Sequence, residues 1–396
     1  MSSNDPVVIV GAARTPIAGL LGDFATLSAS DLGAVAIKAA VERAGITPDD
    51  VDEVIMGNVL SAGQGQAPAR QAALKAGLSQ ATGCTTVNKM CGSAMKAAMF
   101  AHDLLAAGSG DIIVAGGMES MSSAPYLLPK ARAGLRMGHQ SLVDHMFLDG
   151  LEDAYDRGKL MGVFAENCAD SYAFTREAQD NFALASLDRA RRANEDGTFG
   201  WEIAPVTVTN RKGDQTLIDR DEQPAKAVPA KIATLKAAFR KDGTVTAANS
   251  SSISDGAAAL VMMRESTAKA RGLKPLARVL AHATHAQEPG LFTTAPVAAI
   301  DKLLKKLGWQ ANDVDLYEIN EAFAVVTMAA MHDHALSHDA VNVHGGACAL
   351  GHPIGASGAR ILVTLLGALR KHDKRRGVAA LCIGGGEATA MAIERL

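Results

Sequence analysis

The chain has 396 residues, a formal net charge of −3, 48% hydrophobic and 20% charged residues, 4% aromatics and 38 glycines. A near-neutral chain offers no electrostatic footprint for nucleic acid, and no apolar run approaches the roughly 18 residues of a membrane span. The length fits two or three domains or one large α/β unit; little charge and many small residues point to extensive burial and a homo-oligomer.

In chain order, Val7–Val10 predicts a strand, and the Ser30-Asp31 region caps a helix that runs to Arg43 and stops at Gly45. A strand is expected at Val54–Met56, a helix at Ala67–Lys75, and a strand at Thr85–Asn88 leading into Cys91. Residues 91–107 read as a helix apolar on nearly every face, which belongs inside a large protein. Strand Ile112–Ala115 closes on Gly116-Gly117. Strands alternating with helices imply an α/β sheet covered on both faces. From Met121 to about Asp242 strand-like runs are few, charge is concentrated, and a polar helix spans Thr175 to Ala193. That stretch reads as a surface insertion. The α/β pattern then resumes, with a strand at Val314–Ile319 and a second nearly apolar helix at Ser357–Leu369.

The resumed pattern repeats the first. LGAVAIKAAVERAGITPDDVDEVIM (32–56) aligns without gaps on APVAAIDKLLKKLGWQANDVDLYEI (295–319), an offset of 263 residues. Gly45 meets Gly308, and Asp50-Val51-Asp52 meets Asp313-Val314-Asp315. Ile112–Gly117 also echoes Leu381–Gly385, both ending a strand in glycines. Duplicated helix–turn–strand units would pack as pseudo-symmetric halves, with a site where they meet at strand ends.

Four segments carry candidate chemistry. Cys91 stands at the N-terminal end of the first apolar helix, where free N–H groups favour a thiolate, and Gly92 permits close approach. His352 stands among Gly345, Gly346, Gly351, Gly355 and Gly358, in a turn stiffened by Pro353, and suits a general base. Cys382 precedes Gly384-Gly385-Gly386, which suit either a tight turn or a backbone oxyanion hole. Asn320 follows a strand, where it serves as a helix cap or holds a water or oxyanion. The cysteines are Cys84, Cys91, Cys168, Cys348 and Cys382; an odd number with no CxxC pair argues against a disulfide framework and a zinc site.

The motifs NKMCGSAMKA, GGMESMSSAPYLLP, ANSSSISDGAAALVMM, NEAFA, GGACALGHPIGASGAR and CIGGGEA, in this order, resemble the thiolase family from residue 7 to the C-terminus, and most closely its biosynthetic, acetoacetyl-CoA-forming members. The resemblance implies a five-layered αβαβα fold. Its parts would be an N-terminal half of residues 1–120 plus 253–274, a loop domain of residues 121–252, and a C-terminal half of residues 275–396. It implies that Cys91 is the acylated nucleophile, His352 its activator, and Cys382 the acid/base for the α-proton of acetyl-CoA. Asn320 would hold a water that forms one oxyanion hole with His352; the N–H groups of Cys91 and Gly384 would form the other. Ser251 would contact pantetheine, and Met161, Phe323 and Ala322 would line the acyl pocket. Acetyl-CoA, acetoacetyl-CoA and CoA are the implied partners, with no cofactor and no metal. Lys130, Arg132, Arg136 and Lys226 are candidates for the nucleotide phosphates, each also readable as a solvated surface charge.

The chain departs from the family pattern in four places: Glu387-Ala388-Thr389 after the glycines, His344 for an asparagine, Leu160-Met161 for His-Met, and Ala225-Lys226 where an arginine is often found. These bear on substrate preference and nucleotide affinity. A broader 3-ketoacyl-CoA thiolase of β-oxidation is the alternative activity. A non-catalytic acyl-CoA carrier and a decarboxylating ketoacyl synthase are disfavoured, because every reactive position is present and the second cysteine replaces the synthase's usual partners. The polar start, Met1–Asp5, and the ending Glu394-Arg395-Leu396 suggest neither a secretory leader nor a peroxisomal address. A cytoplasmic homotetramer acting in lipid metabolism is the expectation, with Met121–His145 as an inter-dimer segment.

Overall fold

The computed structural model describes residues 5–396; the polar start Met1–Asn4, where no leader was expected, lies outside them. Nine strands build the main sheet: β1 (Val7–Arg14), β2 (Glu53–Gly57), β3 (Gly83–Val87), β4 (Ile112–Ser120), β5 (Ser254–Arg264), β6 (Ala277–Ala286), β7 (Leu316–Ile319), β8 (Arg376–Ile383) and β9 (Glu387–Arg395). They run in the order β7-β8-β9-β6-β1-β5-β4-β2-β3, and the two-residue strand Ala18–Gly19 pairs with β5 as the tenth. The first half (β1-β5-β4-β2-β3) joins the second (β7-β8-β9-β6) through the short pairing of Val8 with Arg278 and Ile9 with Ala277.

The principal helices are α1 (Ala29–Ala44), α2 (Pro68–Lys75), α3 (Ser93–Ala107), α4 (Met161–Ser171), α5 (Arg176–Glu195), α6 (Ala295–Leu307), α7 (Ala324–Asp333) and α8 (Ser357–Lys371). Strand β1 shows how they layer. Val8, Val10 and Ala13 face an outer cluster with α1 and α2, whereas Val7, Ile9 and Ala12 face an inner cluster with α3 and α8. The alternation shifts at a bulge between Ile9 and Gly11. The outer face of the second half carries α6. Helix, sheet, paired helices, sheet, helix is the five-layered arrangement expected. Strands buried on both faces read as continuous apolar runs, which is why their alternation is invisible in the sequence.

Helices α3 and α8 share the inner layer. A Cβ on Gly358 would stand 2.3 Å from Met95 N, so only glycine permits this crossing. Burying each Met- or Leu-sized side chain here contributes about 1.5–3 kcal/mol.

The internal repeat is physical. Gly45 and Gly308 end α1 and α6 at φ 71° and 67°. Thr47 N donates to Asp50 Oδ2 at 2.7 Å, as Gln310 N does to Asp313 Oδ2 at 2.8 Å. Asp52 then accepts the N–H groups of Asp111 and Ile112, as Asp315 accepts those of Arg375 and Arg376. This last pair corrects the expected echo: Ile112 corresponds to Arg376, so the equivalent of Ile112–Gly117 is 376–381 rather than Leu381–Gly385. Gly116-Gly117 do not close a strand either. They sit inside β4, where a Cβ on Gly117 would fall 2.0 Å from Gly355 O.

Smaller corrections concern helix starts. Ser28, not Ser30 or Asp31, caps α1, through a reciprocal box with Asp31. Asn320 caps nothing; α7 begins after Phe323.

Residues 121–253 lie outside the main sheet and hold α4, α5 and two small two-stranded sheets. They are tied to it by Arg14, whose Nε reaches Glu202 at 2.6 Å and whose NH1 and NH2 reach Asp221 at 2.7 and 2.9 Å. All three side chains are buried. Replacing Arg14 by Met leaves two buried carboxylates without their cation. We expect a loss of about 3–5 kcal/mol in urea unfolding; a loss under about 1 kcal/mol would show that the cluster does not anchor the insertion.

Candidate active site

Three loops bring the reactive side chains together. The first is the turn after β3. Met90 has φ 47°, and Lys89 N is held by Ser93 Oγ at 2.8 Å, which lifts Cys91 clear of the helix. Cys91 therefore lies two residues before α3 rather than in its first turn, as the sequence suggested. The second loop precedes α8. His352 N donates to Ser252 O at 3.1 Å, and Gly355 N donates to Glu119 at 2.8 Å. The third is the turn from β8 to β9, with Cys382 near the end of β8 and Gly384 just past it.

These loops line one cavity of about 360 Å³. Every expected site residue except Asn320 lines it: Cys91, His352, Cys382, Gly384, Ser251, Met161, Phe323 and Ala322. Asn320 lies just behind, fully buried, with Nδ2 3.5 Å from His352 Nδ1 and Oδ1 3.4 Å from Arg360. Phe147, Phe239, Phe292, Met90, Leu151 and Leu160 complete an apolar wall that sequence reasoning did not assemble. Ser251 is fixed by Ala322 O, which accepts from both its N–H and its Oγ. A second cavity, of about 290 Å³, shares Ala247 and Ser252 with the first and leads past Leu187, Val228 and Lys231.

The phosphate candidates stand elsewhere. Lys130, Arg132 and Arg136 are exposed, and Lys226 pairs with Glu222; none lines either cavity. His344, the replacement for an asparagine, is also remote from the pocket. Its Nε2 meets His372 Nε2 at 3.1 Å. Glu321 stands outside the cavity as well, accepting from Ser186, Asn342 and the Cys348 N–H to pin the 342–348 loop onto α5.

Burial sets the ionisation of the pair. Desolvation pushes the Cys91 thiol up to about 11, opposed by the N–H groups of Gly384 and of Cys91 itself, which donate to its sulfur. Desolvation pushes His352 down to about 3, with the nearby Arg360 cation adding to it. Cys382 is raised as well, by burial first and then by Cys91. The resting site is therefore a thiol beside a neutral imidazole.

Ser357 sets the tautomer of that imidazole. Its Oγ lies 2.6 Å from His352 Nδ1 and donates its own proton to Pro353 O at 3.1 Å, so it accepts from Nδ1–H. Nε2, buried and without a partner among the described residues, then carries the free lone pair. Ser357 and Glu119 are the two supporting residues the sequence reading left without a role, although both lie inside quoted motifs. Glu119 is fully buried and also takes the N–H groups of Val59 and Leu60. Burial raises its carboxyl to about 7 against those N–H bonds.

Residues 7–266 match the thiolase N-terminal domain and residues 273–395 the thiolase C-terminal domain. The chain belongs to the thiolase family. It is 50% identical over 392 residues to a probable acetyl-CoA acetyltransferase of Dictyostelium discoideum, covering 99% of this chain and 94% of that protein. It is 51% identical to acetyl-CoA acetyltransferase 2 of Arabidopsis thaliana, covering 98% and 97%. Among solved structures, the Bacillus anthracis acetyl-CoA acetyltransferase superposes with a TM-score of 0.96 at 40% identity, covering 99% of both chains. The Ascaris suum thiolase Acat5 bound to coenzyme A gives 0.93 at 43% identity, covering 99% of this chain and 100% of that one.

For this thiolase two outcomes are expected. Alkylation of Cys91 by iodoacetamide should climb with pH toward about 11, because a raised thiol stays protonated through neutrality. It should show no inflection near the about 6.5 of a free imidazole, since His352 is neutral throughout. An inflection there would place a protonated His352 beside Cys91. Ser357→Ala should slow Cys91 acylation roughly tenfold, less than the ~10²–10⁴ of losing a general base. An unchanged rate in stopped-flow would remove Ser357 from the tautomer argument.

Proposed function

We propose that the chain is an acetyl-CoA C-acetyltransferase, condensing two acetyl-CoA reversibly to acetoacetyl-CoA and CoA. The observation that carries this reading is the meeting of two thiols, Cys91 and Cys382, with the free Nε2 of His352 in one apolar cavity, beside N–H donors at the Cys91 sulfur. The names of the relatives support acetyl-CoA as the substrate. The second cavity, joined to the first at Ser252 beside Ser251, supports a long, narrow substrate arm.

Cys91 Sγ attacks the thioester carbon while His352 Nε2 takes its proton. A thiol is a nucleophile matched to a thiol leaving group. The N–H groups of Cys91 and Gly384 receive the oxyanion, and CoA leaves with the proton of Cys382, so Cys382 becomes a thiolate while His352 keeps its proton on Nε2. A second acetyl-CoA then enters. The Cys382 thiolate removes its α-proton, and the enolate oxygen is held by Nε2–H of His352 and, through a water, by Asn320. The enolate carbon attacks acetyl-Cys91, acetoacetyl-CoA departs, and His352 Nε2–H returns its proton to the Cys91 sulfur, leaving both cysteines as thiols. No cofactor takes part, because the coenzyme A thioesters are substrates.

Met161, Ala322 and Phe323 bound the acyl end, where the ring of Phe239 lies 5.9 Å from that of Phe323. This aromatic closure supports a short acyl group over the longer chains of a β-oxidation thiolase. We also read the chain as a cytoplasmic homotetramer in lipid metabolism, with the domain boundaries of the sequence analysis. Five free cysteines fit a reducing compartment. The exposed apolar side chains Tyr126, Met137 and Leu142 support an interface within Met121–His145. No helix among the described residues is long and apolar enough to cross a membrane.

Intact mass after incubation with acetyl-CoA should rise by one acetyl group, mapped to Cys91. Cys91→Ala should take no label, whereas Cys382→Ser should take the label and lose condensation. Loss of labelling in Cys382→Ser would contradict the division of labour. Faster cleavage of 3-ketohexanoyl-CoA than of acetoacetyl-CoA would favour the longer-chain activity.

A further inference from the structure

The nucleophile and one of its two oxyanion donors come from different halves of the chain. Cys91 rides the turn between β3 and α3; Gly384 rides the turn between β8 and β9. Each turn is braced within its own half. Gly92 N donates to Lys89 O at 3.0 Å, and Met90 N to Asn88 Oδ1 at 2.9 Å. On the other side, Glu387 is locked in register with Ile383 and Ala286, and Gln287 N donates to Gly386 O at 2.8 Å. Besides the Gly384 N–H on the Cys91 sulfur, two contacts among the described residues join the turns. One is apolar: a Cβ on Gly92 would stand 2.3 Å from Ile383 Cδ1. The other is an ion pair between Lys89 Nζ and Glu387 Oε2, with the side chains 20% and 33% exposed.

We propose that the Lys89–Glu387 ion pair is a positioning device that holds the Gly384 N–H on the Cys91 sulfur. Glu387 is three residues past Gly384, at the far end of the Gly384-Gly385-Gly386 turn. Lys89 is two residues before Cys91. The pair therefore spans the same gap as the N–H to sulfur contact, one turn end to the other. A charge-assisted hydrogen bond is directional and short, so it fixes separation as well as adding attraction. Neither side chain lines the cavity, so neither touches a ligand there. The loss of either should loosen the oxyanion hole without removing a substrate contact. The part of the proposal that concerns acyl transfer rests on the function proposed above.

The test uses Lys89→Met, Glu387→Gln, their double variant, and the exchange Lys89→Glu with Glu387→Lys. The first readout is the pH profile of iodoacetamide alkylation at Cys91 in the free enzyme, which needs no acetyl-CoA. Each single variant should move this profile up by about half a pH unit or more, because the Gly384 N–H bond favours the thiolate. The second readout is acetylation by acetyl-CoA. Each single variant should be slowed about tenfold, a fraction of the ~10²–10³ of losing an oxyanion donor outright, with KM within about twofold. The double variant should be no slower than the worse single, and the exchange should recover most of the rate. Glu387→Asp, with the charge kept on a shorter arm, should fall between wild type and Glu387→Gln. It replaces Glu387→Gln if that variant does not fold.

Wild-type profiles and rates in both singles would overturn the proposal. So would effects that multiply in the double variant, or a raised KM with kcat unchanged. A wild-type enzyme that takes no acetyl group would overturn the proposed function instead, and the alkylation profiles would still decide the ion pair.

Discussion

Helices α3 and α8 have sheet on both sides, and their burial governs everything that stands at their N-terminal ends. A helix so placed cannot carry charge on most of its surface, so α3 is mainly alanine, methionine and leucine. The two helices touch where Gly358 meets Met95, a contact with no room for a side chain. Their approach carries the loops before them, one bearing Cys91 and the other His352, into the same cavity. Glu119 ties the loop before α8 to the loop after β2, gathering N–H groups from Val59, Leu60 and Gly355 on one buried carboxylate.

The same burial determines the chemistry available. Removing water raises Cys91 and lowers His352, so the pair stays uncharged until a substrate arrives. A site that kept a thiolate–imidazolium pair would have to stabilise two charges in an apolar cavity, at a large desolvation cost. On the function proposed above, the stabilising groups would instead be backbone N–H donors and the Asn320 amide, fixed dipoles that act when negative charge develops on oxygen. Ser357 completes this by accepting from Nδ1, which leaves Nε2 free. Charged side chains are placed at one remove: Arg360 pairs with Glu318 at 2.9 Å, and Lys89 with Glu387.

Much of this was legible in the sequence, for identifiable reasons. The repeat was readable because helix, αL glycine, capping turn and strand each impose a local residue requirement, and local requirements survive in sequence. Gly45 with Gly308, and Asp50 with Asp313, are such cases. Cys91, His352 and Cys382 stood out because glycine-rich turns at strand ends mark close backbone approach. The misreadings have a common source. Gly116-Gly117 looked like a strand end, yet they lie within β4 because Gly355 crosses directly above. Asn320 looked like a cap, yet it is aimed at His352 and Arg360. In both, a residue's reason lies on another segment far along the chain. The tautomer-setting Ser357 was within the quoted motif, but its hydrogen bond depends on the loop's bend.

By itself the sequence determined the fold class, the duplication and the family, and it pointed to Cys91, His352 and Cys382 as the candidate reactive residues. Each of these is written in local pattern or in motif. Only the tertiary structure decided which residues share a cavity, the depressed basicity of His352, the raised thiols, and the Lys89–Glu387 contact between the halves. Those properties arise from burial and from distances between segments as many as 298 residues apart, which no local pattern encodes.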